Sequence, residues 1–270
     1  LLDRLILPDL GKHRLKDLTR SDVARWHHDH RTTPVSANRA LLVLSKLCNW
    51  AERHGLRPDG SNPCRHVERY PEQRRERFLS ETELASLAKA LAKVKGRKGV
   101  TTTRHIVAAI RLLLFTGARL GEILTLKWEH VDLEAGVLRL AESKTGAKLV
   151  YLNAPAREVL ANLPRLKGNP YVIIGEKKGA HLVNLEKPWR RVRKAAGLDD
   201  VRLHDLRHSF ASMGAAGGMS LPLIGKLLGH SQAQTTHRYA HLADDPVRQA
   251  SEAVAARIAA EMAKPKDKAR

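Results

Sequence analysis

Cysteine is scarce in this chain. Its 270 residues hold only two, Cys48 and Cys64, which excludes a disulfide framework or a four-cysteine zinc site and fits a reducing compartment, the cytoplasm. Long apolar runs are missing as well. The nearest approach, residues 106–117, is interrupted by Arg111 and falls short of the roughly 18–20 residues that cross a bilayer. No signal peptide opens the chain, and its start at Leu1-Leu2 without a methionine reads as that of a trimmed sequence. Acidic residues are outnumbered, 28 against 48 lysines and arginines, for a formal charge of +20.

What is present then bounds the class. At roughly 150 residues per domain, one large or two small domains are expected. A chain this long buries about three quarters of its unfolded surface without a metal or disulfide staple. The excess charge is spread along it: 15 basic against 10 acidic residues up to position 76, and 33 against 18 beyond it. A basic tail on a neutral domain is thereby excluded. The partner expected is a polyanion, and nucleic acid fits better than a membrane surface because hydrophobic residues make up an ordinary 43%. A merely solvated basic surface is the plainer alternative.

Patterning divides the chain. Thr19 followed by Asp22 starts a helix to about Arg31. A second helix is predicted over Ser36–His54, stopped by Gly55, with Ala37, Ala40, Leu41, Leu44, Leu47, Cys48 and Ala51 on one stripe. Arg39, Lys46, Asn49 and Arg53 lie opposite, either as a solvated face or against DNA. Residues 68–77 have almost nothing to bury and mark a boundary. Ser80 and Glu83 then form a capping box, with Leu79 facing Leu84. Helices are expected at 81–95 and 103–116. Strands are expected at 137–140 and 148–152, flanking a turn at 143–147, with a third at 171–174. Helices return at 184–195, 204–216, 220–228, 232–241 and 246–263. The fold class is therefore mainly α with a small antiparallel β-sheet (α+β). It comprises a helical domain at 1–70, a linker at 71–79 and a second domain at 80–270.

Four clusters carry chemistry. In Thr116-Gly117-Ala118-Arg119-Leu120-Gly121-Glu122, Arg119 follows an apolar helix and stands in a partly dry place, or else simply pairs with Glu122. His204 and Arg207, three residues apart in His204-Asp205-Leu206-Arg207-His208, share a helix face, setting a proton-transfer group beside a fixed cation. In Leu228-Gly229-His230, Gly229 ends a helix and His230 begins a turn, which by itself is equally a polar turn residue. Of only four tyrosines, Tyr239 alone sits on a short polar stretch near other candidate groups. Its neighbours Thr235, Thr236 and Leu242 disfavour a place in the core.

Taken in order, Thr-Gly-x-Arg-x-x-Glu, a lysine in a hairpin turn, His-x-x-Arg-His, Leu-Gly-His and a tyrosine nine residues later resemble the tyrosine recombinase, or phage-type integrase, family. The catalytic-domain resemblance covers roughly 80–245. The earlier Leu-x-x-Leu-Thr-x-x-Asp-Val and Asn-Pro resemble that family's core-binding domain, whose first helix looks incomplete here and which lacks the extra N-terminal domain common in integrases. The resemblance implies that Tyr239 is the nucleophile, that Arg119 and Arg207 grip the scissile phosphate, and that His204 and His230 are the family's two histidines. Lys144 matches the hairpin lysine, with Lys148 as its rival, and Glu122 matches a supporting acidic position.

Elementary chemistry fits those roles. Forked arginine hydrogen bonds stabilise charge developing on a phosphodiester. Tyrosine titrates near 10 and needs a base or a positive field, which His204 and the arginines supply. The departing 5′ oxygen needs a proton, which Lys144 on a turn could deliver. No metal or nucleotide cofactor is expected, since ligand spacing and a P-loop pattern are both missing. The expected function is site-specific recombination of double-stranded DNA through a 3′-phosphotyrosine and a four-way junction, by a homotetramer on paired sites that is monomeric without DNA, with accessory DNA-bending proteins possible. The role expected is integration, the alternatives being Xer-type dimer resolution or a non-cutting DNA-binding regulator. In the bacterial cytoplasm, such a protein joins the nucleoid through DNA. Arg39 and Lys46 are the candidate DNA contacts of the first domain. The last helix, with Val247, Ala250, Val254, Ile258 and Met262 in steps of three and four, packs either on its own domain or on a neighbouring protomer.

Overall fold

A computed structural model describes residues 1–73, 75–94, 102–140, 146–230, 232–242 and 246–262. The chain divides into two compact units, Leu1–Glu76 and Arg77–Arg270.

The first unit is helical. Short helical segments at Leu2–Ile6 and Leu7–Leu10 precede α1 (Arg20–Asp29) and α2 (Pro34–Arg53). The Thr19–Asp22 capping box starts α1: the Asp22 amide donates to the Thr19 hydroxyl and the Thr19 amide to the Asp22 carboxylate. This satisfies two amides that no helical carbonyl can reach. Ala37, Ala40, Leu41, Leu44, Cys48 and Ala51 of α2 are buried, and several of them pack with Val23 and Trp26 of α1 in one cluster. The predicted stripe erred at Leu47, which is 38% exposed, as are its neighbours Leu42, Val43 and Trp50 to similar degrees. The α1 face that α2 meets covers only a narrow band of its surface. Asn38, buried on α2, donates to the Tyr70 carbonyl and accepts from the Tyr70 amide, fastening the end of this unit to its helices.

The second unit begins with α3 (Glu81–Ala92), opened by the Ser80–Glu83 capping box. It is followed by α4 (Thr102–Thr116) and the short α5 (Leu120–Leu124). Ala109, Ile110, Leu112 and Leu113 make α4 the centre of the main core. Truncating one such leucine to alanine costs about 2–5 kcal/mol. The sheet is a three-stranded antiparallel meander, β1 (Val131–Asp132), β2 (Val137–Leu140) and β3 (Lys148–Tyr151), with Leu138 opposite Val150 and Leu140 opposite Lys148. Next come α6 (Ala154–Ala161), α7 (Glu186–Ala195), α8 (Leu203–Ala216), α9 (Leu221–Leu228) and, after two 3-10 turns at Ala233–Thr235 and His237–Leu242, α10 (Pro246–Met262).

Two predicted elements come out differently, and one element was not predicted. Tyr171–Ile174 is not the third strand. Val172, Ile173 and Ile174 are all buried, and the run bonds loop backbone instead, through Leu126 and Leu182, so β1 takes the sheet edge. The helix expected at 232–241 is two 3-10 turns, because the Thr236 side chain is turned inward to His230 and the amides of Thr236 and Tyr239 close three-residue rather than four-residue turns. Helix α6 was not foreseen, although Asn153 caps its first turn by accepting from the Ala156 amide and Pro155 stands in that turn.

Candidate active site

Arg119, Arg207 and His230 gather at the C-terminal end of α9. That helix ends at Gly229 in the left-handed region, φ 68° and ψ 46°. A Cβ there would come within 2.7 Å of the Lys148 side chain and displace it, and the left-handed backbone itself favours glycine. Gly117, at φ 62°, ends α4 in the same manner, and a Cβ on it would strike Phe210 of α8 and Leu228 of α9. The two glycines let the ends of α4 and α9 approach each other and the middle of α8.

Both candidate arginines are anchored there. Arg119 donates from Nη2 to the Gly229 carbonyl at 3.2 Å and from Nη1 to Glu122 at 2.8 Å. Arg207, 4% exposed, donates to the carbonyls of Gly117 and of Leu228, the latter at 2.8 Å. The carbonyls at helix C-termini carry partial negative charge, which holds the guanidinium groups in place before any anion arrives. Burial, and then Arg119 nearby, pulls the Arg207 pKa down to about 10. It stays charged at neutral pH.

Glu122 is the buried counter-ion. It accepts from the Arg119 amide at 2.9 Å, from Arg119 Nη1, and from Lys148 Nζ at 3.0 Å. Burial opposes its ionisation, but the Arg119 amide and Lys148 outweigh that and hold its carboxyl below the usual range. Burial lowers the Lys148 ammonium pKa against the pull of Glu122. So the pairing expected between Arg119 and Glu122 forms, and it belongs to the same arrangement as the site rather than competing with it. Lys144 lies outside the described residues. Its rival Lys148, at the start of β3, reaches the site with its side chain only 7% exposed.

The histidines differ in placement. His230 Nδ1 meets the Thr236 hydroxyl at 2.9 Å. Burial, then Arg207, Arg119 and Arg238, press its pKa to about 4, so it is neutral at pH 7. His204 and Arg207 stand one turn apart on α8, His204 exposed at the surface and Arg207 within. Burial of its ring atoms and then Arg207 lower the His204 pKa.

Tyr239 is the largest departure from expectation. It is 4% exposed and packs in a cluster with Ala211, Ala215, Ile224 and Leu228. These apolar neighbours come from α8 and α9, not from positions three or four residues away in the sequence, which is why its own stretch looked polar. Its hydroxyl leaves that cluster to meet His208 Nδ1 at 2.6 Å. Burial raises its pKa, with Arg238 and Arg207 opposing. His208 was part of the quoted motif without a role of its own. The signal was its place four residues after His204 on one helix face. Arg238 was also unassigned; its buried Nε has no partner among the described residues. Arg39 and Lys46 are both exposed on α2 in the first unit. Among the described residues, no three His, Cys, Asp or Glu side chains could hold a metal ion.

Comparison with known proteins decides the lineage of this arrangement. The phage integrase family profile matches residues 77–245, well over half of the chain. The chain belongs to the phage integrase family. As a tyrosine recombinase it is an enzyme of site-specific recombination, which breaks and rejoins DNA strands. Tyrosine recombinase XerD of Corynebacterium glutamicum is 29% identical to it over 88% of this chain and 83% of that protein. Tyrosine recombinase XerC of Pseudomonas putida is 30% identical over 82% of this chain and 73% of that protein. Lambda integrase, solved as a dimer bound to a COC′ core site, shares the fold at a TM-score of 0.68 and 18% identity, covering 88% of this chain and 84% of that one. In the recombinase, every candidate residue of the second unit that is described except exposed His204 is bonded to at least one other element of the site. Among the described residues, no helix is long and apolar enough to cross a membrane.

Proposed function

We propose that this recombinase cleaves duplex DNA with Tyr239, forming a 3′-phosphotyrosine bond and freeing a 5′-hydroxyl, and rejoins strands by the reverse step. Arg119 and Arg207 hold the non-bridging phosphate oxygens, and His230, neutral and already tied to Thr236, donates a further hydrogen bond. His204 flanks the phosphate from the exposed side of α8. The leaving 5′ oxygen takes its proton from a lysine of the β2–β3 hairpin, Lys144 in this reading. Lys148 keeps Glu122 and Arg119 in position. Arg39 and Lys46 contact DNA from the first unit. One observation carries the reading: both arginines are bonded to the carbonyls that end α9, and the Tyr239 hydroxyl meets His208, the residue next to Arg207 on α8. Such a place suits an anion.

Four protomers on two sites would exchange strands through a four-way junction, acting in the cytoplasm on nucleoid DNA, with DNA-bending proteins as accessories. The exposed Val254, Ile258 and Met262 of α10 support docking of that helix on a neighbouring protomer. Integration is the task we favour. The match over 83% of XerD and 73% of XerC favours, as a second reading, the resolution of chromosome or plasmid dimers. The test is a nicked suicide substrate, from which a cleaved strand cannot be rejoined. Wild type should become covalently attached to the 3′ side of the break. Tyr239→Phe, which keeps the ring packing, should bind DNA normally and form no adduct. An adduct mapped to Tyr70, Tyr151 or Tyr171 would overturn the assignment. A wild type that binds without any adduct would point to a non-cutting regulator.

A further inference from the structure

We propose that His208, rather than His204 one turn before it, takes the proton from Tyr239 during cleavage and returns it during rejoining. The proposal rests on reading Tyr239 as the nucleophile and adds a catalytic residue to it.

Geometry comes first. A general base must lie about 2.6–3.2 Å from the proton it removes. His208 Nδ1 is 2.6 Å from the Tyr239 oxygen. The two rings are tilted by 51° with centroids 6.0 Å apart, so the contact runs from hydroxyl to ring nitrogen and not face to face. His204 presents its ring edge-on to His208, at 4.7 Å and 88°. It therefore backs His208, while His208 faces the nucleophile.

The direction of the bond follows from protonation. Burial, then His204, Arg238 and Arg207, hold the His208 pKa near 4, with only Asp205 opposing. The groups facing it are thus His204, Asp205 and Arg207 from α8, and Arg238 and Tyr239 from the turn at 237–242. At neutral pH the imidazole is neutral, and in its Nε2–H tautomer Nδ1 holds the lone pair to which the phenol donates. The phenol cannot ionise unaided, since burial raises its pKa.

A base with so low a pKa is weak in the free protein. The cations that weaken it, Arg207 and Arg238, are those whose charge a bound phosphodiester would offset. Phosphate binding therefore strengthens His208 as a proton acceptor, which couples activation of the nucleophile to occupancy of the site. The step balances. The proton moves from the Tyr239 oxygen to Nδ1, the oxygen pair forms the O–P bond, the bond from phosphorus to the 5′ oxygen breaks, and that oxygen takes a proton from the hairpin lysine. In rejoining, a 5′-hydroxyl attacks, the lysine regains its proton, and the departing phenolate recovers its own from His208.

His208→Ala and His208→Asn separate this role from mere positioning. Asparagine can still accept the hydroxyl's hydrogen bond but cannot accept its proton. Adduct formation on the suicide substrate is followed in single turnover from pH 6 to 9, beside DNA binding and thermal unfolding. Both variants should bind DNA like wild type and cleave about 10²–10⁴-fold more slowly at pH 7. Their deficit should shrink as rising pH ionises the phenol directly. A substrate with sulfur at the bridging 5′ position, which needs no acid, should not restore them. A His208→Asn rate within about threefold of wild type, or restoration by the sulfur substrate, would refute the role of His208 while leaving Tyr239 as nucleophile. If alanine unfolds the chain, the asparagine variant alone decides. No adduct from wild type would remove the nucleophile reading and this proposal together.

Discussion

Glu122→Gln isolates the electrostatic centre of the site. The carboxylate accepts three hydrogen bonds, from the Arg119 amide, from Arg119 Nη1 and from Lys148 Nζ, at 2.8–3.0 Å. Glutamine has the same shape but offers only one acceptor oxygen. Its amide nitrogen must face either Arg119 or Lys148, donor against donor. Removing one partner from a buried ion pair costs about 3–5 kcal/mol. The Arg119 side chain is 25% exposed, so water recovers part of that loss. Lys148, at 7%, recovers little. We expect a loss of about 2–4 kcal/mol, which moves the urea midpoint down by about 1–2 M at a slope near 2 kcal/mol per M. The effect should depend on pH with a definite sign. The folded-state pKa of Glu122 is depressed below 4.5, so its contribution is fully present above that value and is lost as pH falls through the folded pKa. The gap between wild type and variant should therefore close in acid. A change below about 0.5 kcal/mol, the range of ordinary surface substitutions, or a gap as wide at pH 3 as at pH 7, would refute the reasoning.

Lys144→Ala should slow cleavage of an ordinary substrate and be restored by sulfur at the bridging 5′ position, whereas Lys148→Ala should be slow on both and should also lower the unfolding midpoint; the opposite pattern would move the acid to Lys148. Gly229→Ala should cost at least about 1–2 kcal/mol for its left-handed backbone and reduce adduct formation, because its methyl group would displace Lys148; unfolding and single-turnover cleavage check both parts. Deleting residues 246–270 should leave single-site DNA binding nearly intact and abolish the tetramer and strand exchange, as read by gel shift and recombination assays; normal recombination by the shortened chain would refute docking between protomers.

How far the sequence could be read depended on whether a residue's neighbours are local. The capping boxes at Thr19–Asp22 and Ser80–Glu83 form as patterned, because both partners lie within one turn. The approach of Arg119 to Glu122 was legible for the same reason. The burial of Tyr239 was not, since Ala211, Ile224 and Leu228 reach it from helices 11 to 28 residues upstream. The run at 171–174 had a strand's composition, but its backbone partners, Leu126 and Leu182, lie on loops that no periodicity marks. His208 stood in plain view within a motif. Only the turn of α8 relative to residues 237–242 reveals which of two histidines meets the hydroxyl. Lys148 stood only as a rival to Lys144, yet its place at the start of β3 aims its stem inward at Gly229.

The charges around α9 also say what kind of group this site suits. Arg119, Arg207, Arg238 and Lys148 all act on His230, while Glu122 is the buried carboxylate that balances two of them. Both His208 and His230 respond by staying neutral to about pH 4. An enzyme that kept its histidines charged there would repel its own arginines and bind phosphate indiscriminately. Here Arg119 and Arg207 are fixed by helix-end carbonyls, and the two histidines beside them are held uncharged. A phosphodiester entering between the arginines brings the missing negative charge. With Tyr239 as the proposed nucleophile, that charge would lower the cost of placing a proton on His208 as the phosphorus comes within reach. On the proposed reading, binding and nucleophile activation would be one event, and a tyrosine with a raised pKa would stay unreactive until DNA is in place.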